Sequence, residues 1–583
     1  MSASSSQDDT PLMQLGRHTG QLKALLDRLR AERYVQRLWD KDASLWSRDA
    51  AVAASIRQRL GWLTISPAMA KQASMLRAFA QEIRQAGFTH ALLLGMGGSG
   101  LFPEVCRSLF GVSQGHVDLA VLDTTDPSAV LAHQRRSPLR QLLVIVSSKS
   151  GTTSEISALS KYFYEAIRTS GEEAGAHCVA ITDAGTPLEA QAAAWKFRRI
   201  FALGPETGAD VGGRFSALTY FGLVPAALIG ADVERLVQRG EAMFSRCGPE
   251  APLDENPAAR LGATLALLAQ EKRNKLTMVG APGLESFWPW VEQLVAESTG
   301  KQGRGIVPLH GEPLREPKRY AADRVFVELQ ATTRIDQALA AQVDVLAAAG
   351  HPVIRIRWQD RYDVGGEVVK WSIATAIAGG LLEVNPFDEP DVNETKEQTK
   401  TLLSQYTRGG RFPAEEPLFT DGEVAVYGIS QPAGSRSLSQ HLREFLQQKR
   451  PGDYIALLSF LPRIASLDGA LAAVRQALAS GLGIATLCEI GPRYLHSIGQ
   501  LFKGGVDQGL FLELTADEPA DLPVPGEAFT LGALKHAQAL GDFSAMQRNG
   551  RRILRLHLRG DLHRALQRVA SAIEEAALSA APH

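Results

Sequence analysis

Apolar and polar positions come in blocks along this chain. From residue 90, short continuous apolar runs lead into loops, then into stretches with apolar residues every three or four positions. THALLLG (89–95) reads as a strand, GMGGSG (95–100) as a loop and 101–110 as a helix. VDLAVLD, LLVIVSS and HCVAITD are three further strands, and the unit closes near Gly248. Continuous apolar runs mark strands covered on both faces, hence parallel sheets in an α/β sandwich. A second unit follows: a helix over 261–272, the strand KLTMVGAP, a helix over 286–298, the strands RVFVEL and PVIRIRW, and a long helix over 364–382. NPFDEPDVNETK (385–396) then turns into another helix. The Gly/Pro/Glu-rich stretch 409–423 reads as a linker. Beyond it VAVYG, YIALLSF, IATLCEI, LFLEL and ILRLHL alternate with helices, the last over 562–578 before a frayed Ala-rich tail. Residues 1–85 read as helices after a short disordered start, with Leu22, Leu25, Leu26 and Leu29 on one face. Trp39, Trp46 and Trp62 there read as packing residues. The expected architecture is α/β with segments 1–85 (helical), 86–248, 249–408 and 409–583.

Length alone requires several domains, since 583 residues exceed what one core supports. Lys plus Arg (62) balances Asp plus Glu (63), so nothing points to nucleic acid or an anionic membrane surface. The four cysteines lie far apart, without metal-type spacing. Residues 1–10 are Ser- and Asp-rich and unlike a signal peptide, and every long apolar run is interrupted. The expected compartment is the cytoplasm.

The polar cluster after 142–146 is the richest in chemistry. Ser147, Ser148, Lys149, Ser150, Gly151, Thr152 and Thr153 separate a buried strand from a helix start at Ser154. Helix N-termini expose unpaired N–H groups and the positive end of the macrodipole, which attract phosphate. An elaborate N-cap is the plainer alternative, although one or two hydroxyls would serve it. The loop 95–100 also matches G-x-G-x-x-G, and Asp123 ends the next strand where a dinucleotide fold keeps its ribose acid. Two polar loops at one sheet edge suit a compact phosphorylated ligand better. NAD binding remains the second reading.

GMGGSG, LDTTDP, SSKSGTTSE, GGRFS (212–216), ESTGKQGRG (297–305) and NPFDEP (385–390) occur in that order. The set resembles the glucose-6-phosphate isomerases, built from two sugar-isomerase (SIS) domains, over roughly residues 88–400. It is most like the isomerase half of fused transaldolase/glucose-6-phosphate isomerase proteins, which the C-terminal stretch 410–560 also resembles. The resemblance implies an aldose–ketose isomerase without cofactor or metal, acting on a sugar phosphate. It implies Glu297 as the base between C2 and C1, Arg214 as the enediolate-stabilising cation and Lys396 as a ring-opening aid. Gly98, Ser99, Ser148, Lys149, Ser150, Thr152, Thr153 and Gln293 would contact the substrate. Spacing alone does not separate Glu297 from an ordinary helix-end carboxylate, or Arg214 from a turn arginine.

The family's ring-opening histidine normally falls between the base and the lysine. Here only His310 and His351 lie in that interval, outside the expected context, whereas LHSIGQ appears at 495–500. His496 is therefore expected to come from the C-terminal unit of the same chain, where relatives take it from a neighbouring subunit. A monomer or a homodimer is open on this reading. A non-catalytic phosphosugar sensor is a further alternative, needing the cradle but neither Glu297 nor Arg214.

Overall fold

A computed structural model describes residues 11–205, 207–428 and 437–578. The expected disordered start and the Ala-rich tail lie outside these residues. Residues 11–85 are mostly helical but open on a short strand, β1 (Leu12–Gln14). The first sheet holds β2 (His90–Gly95), β3 (Asp118–Leu122), β4 (Leu142–Ser147), β5 (Cys178–Asp183) and β6 (Arg199–Leu203), all parallel, in the order β3-β2-β4-β5-β6. β6 was not expected: its burial alternates at a sheet edge instead of running continuously. The chain lays β3 on one side of β2 and β4 on the other. The carboxyl ends of β2 and β4 thus flank a topological switch point, where open α/β sheets bind ligands.

The second sheet contains β7 (Lys275–Gly280), β8 (Val307–Leu309), β9 (Arg324–Ala331) and β10 (Val353–Trp358), parallel to one another. β1 joins its edge antiparallel to β10. Three residues are too few to show a period, and their partner lies over 300 residues away, so a local pattern does not reveal this strand. The helix expected over 261–272 starts at Pro257, because Asn256 caps it by accepting from the Ala259 amide. The third sheet comprises β11 (Phe419–Thr420), β12 (Val424–Tyr427), β13 (Tyr454–Phe460), β14 (Ala485–Ile490), β15 (Gly509–Ala516) and β16 (Arg552–Leu558), with β11 and β12 as its antiparallel edge.

One continuous core joins the N-terminal segment to the first two sheets, from Leu15 to Phe387. Trp46 donates to the Ala376 carbonyl at 2.8 Å, and Trp62 stacks on Phe215 at 5.0 Å, directly beside Arg214. The C-terminal unit has its own core under the helices Leu438–Leu446, Asp468–Leu482 and Leu562–Leu578. It also completes its neighbours. Val524, Leu531 and Leu534 pack on the first sheet, and Tyr494, Leu495 and Leu501 pack with Ala296 and Val307. The helix Val392–Gly409 lies against Leu531–Arg548, so a boundary at 408 follows an element that packs on the C-terminal unit. Buried Lys535 pairs with buried Asp126 across the first and third units at 2.6 Å. Breaking such a pair by removing one partner typically costs about 3–5 kcal/mol.

Candidate active site

Strand β4 delivers Ser147 to the sheet edge, and the helix Ser154–Thr169 begins six residues beyond Ser148. Thr153 occupies the N-cap position but makes no capping hydrogen bond with its side chain. Its hydroxyl pairs instead with Ser148 at 3.1 Å, and Ser150 pairs with Thr152 at 2.9 Å. The hydroxyls are bonded mainly to each other, and the N-cap side chain takes none of the first-turn amides, an arrangement that suits an anion. Gly151 has φ +65°, and a Cβ there would meet the Leu188 amide at 2.8 Å, so the turn requires glycine. Lys149 departs from expectation. Its ammonium pairs with Asp183 at the end of β5, and it does not line the cavity described below. Burial pushes the Asp183 carboxyl up, with Lys149 opposing.

The glycine loop after β2 is packed against backbone of other segments. A Cβ on Gly98 would lie 2.1 Å from the Gly213 carbonyl, and one on Gly97 would lie 2.5 Å from the His496 carbonyl. Asp123, the acid of the dinucleotide reading, is buried and paired with Arg493 of the C-terminal unit at 3.0 Å. The glycines thus serve close approach of three loops, with Ser99 buried among them. Gly98→Ala is expected to destabilise the fold by about 1–3 kcal/mol through overpacking, seen as a lower Tm. An unchanged Tm would contradict this close approach.

Glu297 lies in the last turn of the helix Trp288–Thr299, buried, one turn after Gln293. Arg214 comes from the turn Gly213–Phe215 and is likewise buried. Its Nε donates to Ser298 at 2.8 Å, and its Nη2 to the carbonyls of Pro386 and Asp388 at 2.7 and 2.9 Å. Nη1 donates to Glu389 at 3.1 Å and sits 3.4 Å from Glu297 Oε1. The guanidinium is therefore held as a fixed charge between two carboxylates. Burial raises Glu297 above the ordinary carboxylate range, against the pull of Arg214. Burial alone would raise Glu389 as well, but Arg214 and Arg59 hold it below that range. Two neighbouring carboxyls with proton affinities pushed apart form an acid–base arrangement.

Gln293 ties this pair to the C-terminal unit. Its amide nitrogen donates to Glu297 Oε2 at 3.1 Å and to the His496 carbonyl at 2.8 Å. Both partners are acceptors, which fixes the amide orientation, and its buried Oε1 accepts no hydrogen bond among the described residues. The His496 ring meets Glu155 at 2.6 Å through Nε2, and Gln538 donates to the same carboxylate oxygen at 2.6 Å. Burial opposes ionisation of Glu155, yet His496 and Gln538 hold its carboxyl down to about 2. A cavity of about 850 Å³ opens here, lined by Ser150, Thr152, Thr153, His496, Gln538 and Lys396. Lys396 is exposed at the fifth position of Val392–Gly409, and its ammonium has no ion-pair partner among the described residues. Ser99, Ser148, Gln293, Glu297 and Arg214 are buried and do not line this cavity; Gln293 links Glu297 to its wall through the His496 carbonyl.

Several groups here were not anticipated. Glu155 stands inside the quoted SSKSGTTSE string, and its place opposite a histidine 341 residues away gave no local signal. Glu389 and Ser298 lie within NPFDEP and ESTGK, so the motifs marked them without giving them roles. Lys301, also in ESTGK, is buried with its ammonium 2.8 Å from Asp388 Oδ1, and burial pushes it down to about 8.

A family profile for phosphoglucose isomerase matches residues 64–305. A probable glucose-6-phosphate isomerase of Natronomonas pharaonis is 31% identical over 361 residues, covering 56% of this chain and 80% of the relative. The glucose-6-phosphate isomerase of Enterococcus faecalis is 29% identical over 310 residues, covering 46% of this chain and 67% of the relative. In three dimensions, a crystal structure of a glucose-6-phosphate isomerase from Chlamydia trachomatis superposes with a TM-score of 0.52 at 20% identity, covering 67% of this chain and 87% of its own. That likeness is one of fold.

Proposed function

This chain belongs to the glucose-6-phosphate isomerase family, and on that premise we propose how its residues divide the reaction. It is an aldose–ketose isomerase that interconverts glucose 6-phosphate and fructose 6-phosphate, the step shared by glycolysis and gluconeogenesis. The phosphate takes the uncapped amides and hydroxyls of the 148–153 turn. His496 and Lys396, both on the cavity wall, transfer the protons that open the sugar ring. Because Glu155 is held as a carboxylate, Nε2 of His496 carries the proton toward it, and Nδ1 is the nitrogen that exchanges protons with the sugar. Glu297 then removes the C2 hydrogen, and the resulting enediolate lies near the Arg214 charge. Glu297 returns the proton to C1. A base raised by burial is better matched to neutral pH than an ordinary carboxylate. The unsatisfied Gln293 Oε1 suits a sugar hydroxyl, which would donate to it.

The observation that carries this assignment is the Gln293 amide, which joins Glu297 to the backbone of His496 in one hydrogen-bonded unit. It supports His496 acting within its own chain, with the C-terminal unit taking the place a neighbouring subunit holds in relatives. The kinship to the isomerase half of fused transaldolase/glucose-6-phosphate isomerase proteins, and a cytoplasmic location, belong to the same proposal. The first rests on RYLHSIGQLFKGG in a third α/β unit. Complementation tests the cis arrangement. His496→Ala and Glu297→Gln chains are each expected to be inactive on ring-closed substrate, and their mixture, co-expressed or refolded together, should stay inactive. Recovery of activity in the mixture would show that the histidine crosses between subunits.

A further inference from the structure

Arg214 does not face Glu297 alone. The same nitrogen, Nη1, lies 3.1 Å from Glu389 Oε2 and 3.4 Å from Glu297 Oε1. Glu389 comes from the loop that also fixes the other end of the guanidinium, through the carbonyls of Pro386 and Asp388. On its far side Glu389 meets Arg59 of the N-terminal segment at 3.3 Å, and Arg59 also donates to the Phe387 carbonyl. Lys301 pins the loop from below, against Asp388 and the Asn385 carbonyl, and Asn385 in turn donates to Asp388 at 2.8 Å. The loop is thus a rack held by residues of three segments, and Glu389 is its contact with the reacting layer.

We propose that Glu389 is a positioning residue of the isomerase site, which anchors Arg214 and competes with Glu297 for its charge, so tuning the base. This rests on Glu297 being the base. The groups that face Glu297 are Arg214 from the 213–215 turn, Lys301 from the turn after its own helix, Glu389 from the loop, and Gln293, whose amide also reaches the C-terminal unit. Asp388 and Arg59 stand one contact further out, on Lys301 and Glu389. Arg214 and Lys301 favour the ionised base, and Glu389 opposes it. Like charge a few ångströms away disfavours ionisation. With Glu389 in place, Glu297 keeps a higher affinity for the proton it must take from carbon. Without that charge Arg214 turns wholly to Glu297, and the base weakens.

Activity needs Glu297 ionised, so kcat/KM falls as pH drops through its pKa. Glu389→Gln keeps an acceptor for Arg214 but deletes the negative charge, favours ionised Glu297 and moves the acid limb to lower pH. The expected displacement is roughly one pH unit. On the acid side this keeps up to about tenfold more of the variant's own maximal kcat/KM than wild type keeps of its own. Plateau kcat should fall, because a weaker base removes a carbon-bound proton more slowly. Glu389→Asp, which restores the charge, should return the limb toward the wild-type position. The experiment is the pH profile of kcat/KM for fructose 6-phosphate in wild type, Glu389→Gln, Glu389→Asp and Glu297→Gln. If Glu389→Gln lowers the plateau or the Tm but leaves the limb in place, Glu389 is a structural anchor only and the proposal falls. If Glu297→Gln stays active, the fault lies with the base assignment instead, and the two failures are told apart.

Discussion

Glu297→Gln is expected to lower kcat by roughly 10²- to 10⁴-fold, toward the upper end, because general-base transfer from carbon has no substitute at that position. Glutamine keeps the volume and one oxygen, which can serve the Gln293 amide or the Arg214 guanidinium but not both. The buried layer should stay filled, and Tm should fall only modestly. Substrate affinity should also hold, since the phosphate turn lies in a different layer of the site. A coupled assay of glucose 6-phosphate formation gives the rate. Release of isotope from C2-deuterated glucose 6-phosphate into water gives the proton transfer itself, and both should fall together. A variant within tenfold of wild type in both measurements would remove Glu297 from the chemistry.

Arg214 carries the second large effect. Arg214→Ala should lower kcat by roughly 10²- to 10³-fold, the range for losing one preorganised group over a developing oxyanion. It also strips buried Glu297 of its nearest cation and leaves Glu389 with Arg59 alone, so Tm should drop as well. Arg214→Lys separates the two consequences. An ammonium retains the charge but cannot donate at once to Ser298, Glu389 and two carbonyls. It should recover much of the stability and little of the rate, because the charge is no longer fixed in place. Full recovery of kcat by lysine would mean that charge alone suffices and that the rack of carbonyls is incidental.

What the sequence disclosed and what it concealed divide along physical lines. Strands covered on both faces announced themselves: β2, β4, β5 and β13 are largely apolar, buried almost from end to end, and lie where expected. β6 exposes alternate residues at a sheet edge, and β1 has three residues and a distant partner, so neither carries enough local pattern. The polar turn 147–153 was legible because five hydroxyls crowd into seven residues. The direction of Lys149 was not, since it depends on Asp183, brought alongside only by the parallel pairing of β4 with β5. Glu297, Arg214 and His496 could be named from motifs. Their linkage through Gln293, and the partners Glu155 and Glu389, exist only once four separate segments meet. Motif strings mark which residues matter, and tertiary contacts decide what each is coupled to.

The attachment of His496 to the rest of the molecule has a consequence for where such an enzyme can work. A residue borrowed from another subunit is present only while the subunits stay associated, so the reaction weakens on dilution below their dissociation constant. Here the linker over 409–423 tethers the C-terminal unit to the cavity it completes. A short tether of this kind keeps its cargo at an effective concentration on the order of millimolar, whatever the concentration of the protein. Turnover per chain would then be the same in a scarce enzyme as in an abundant one.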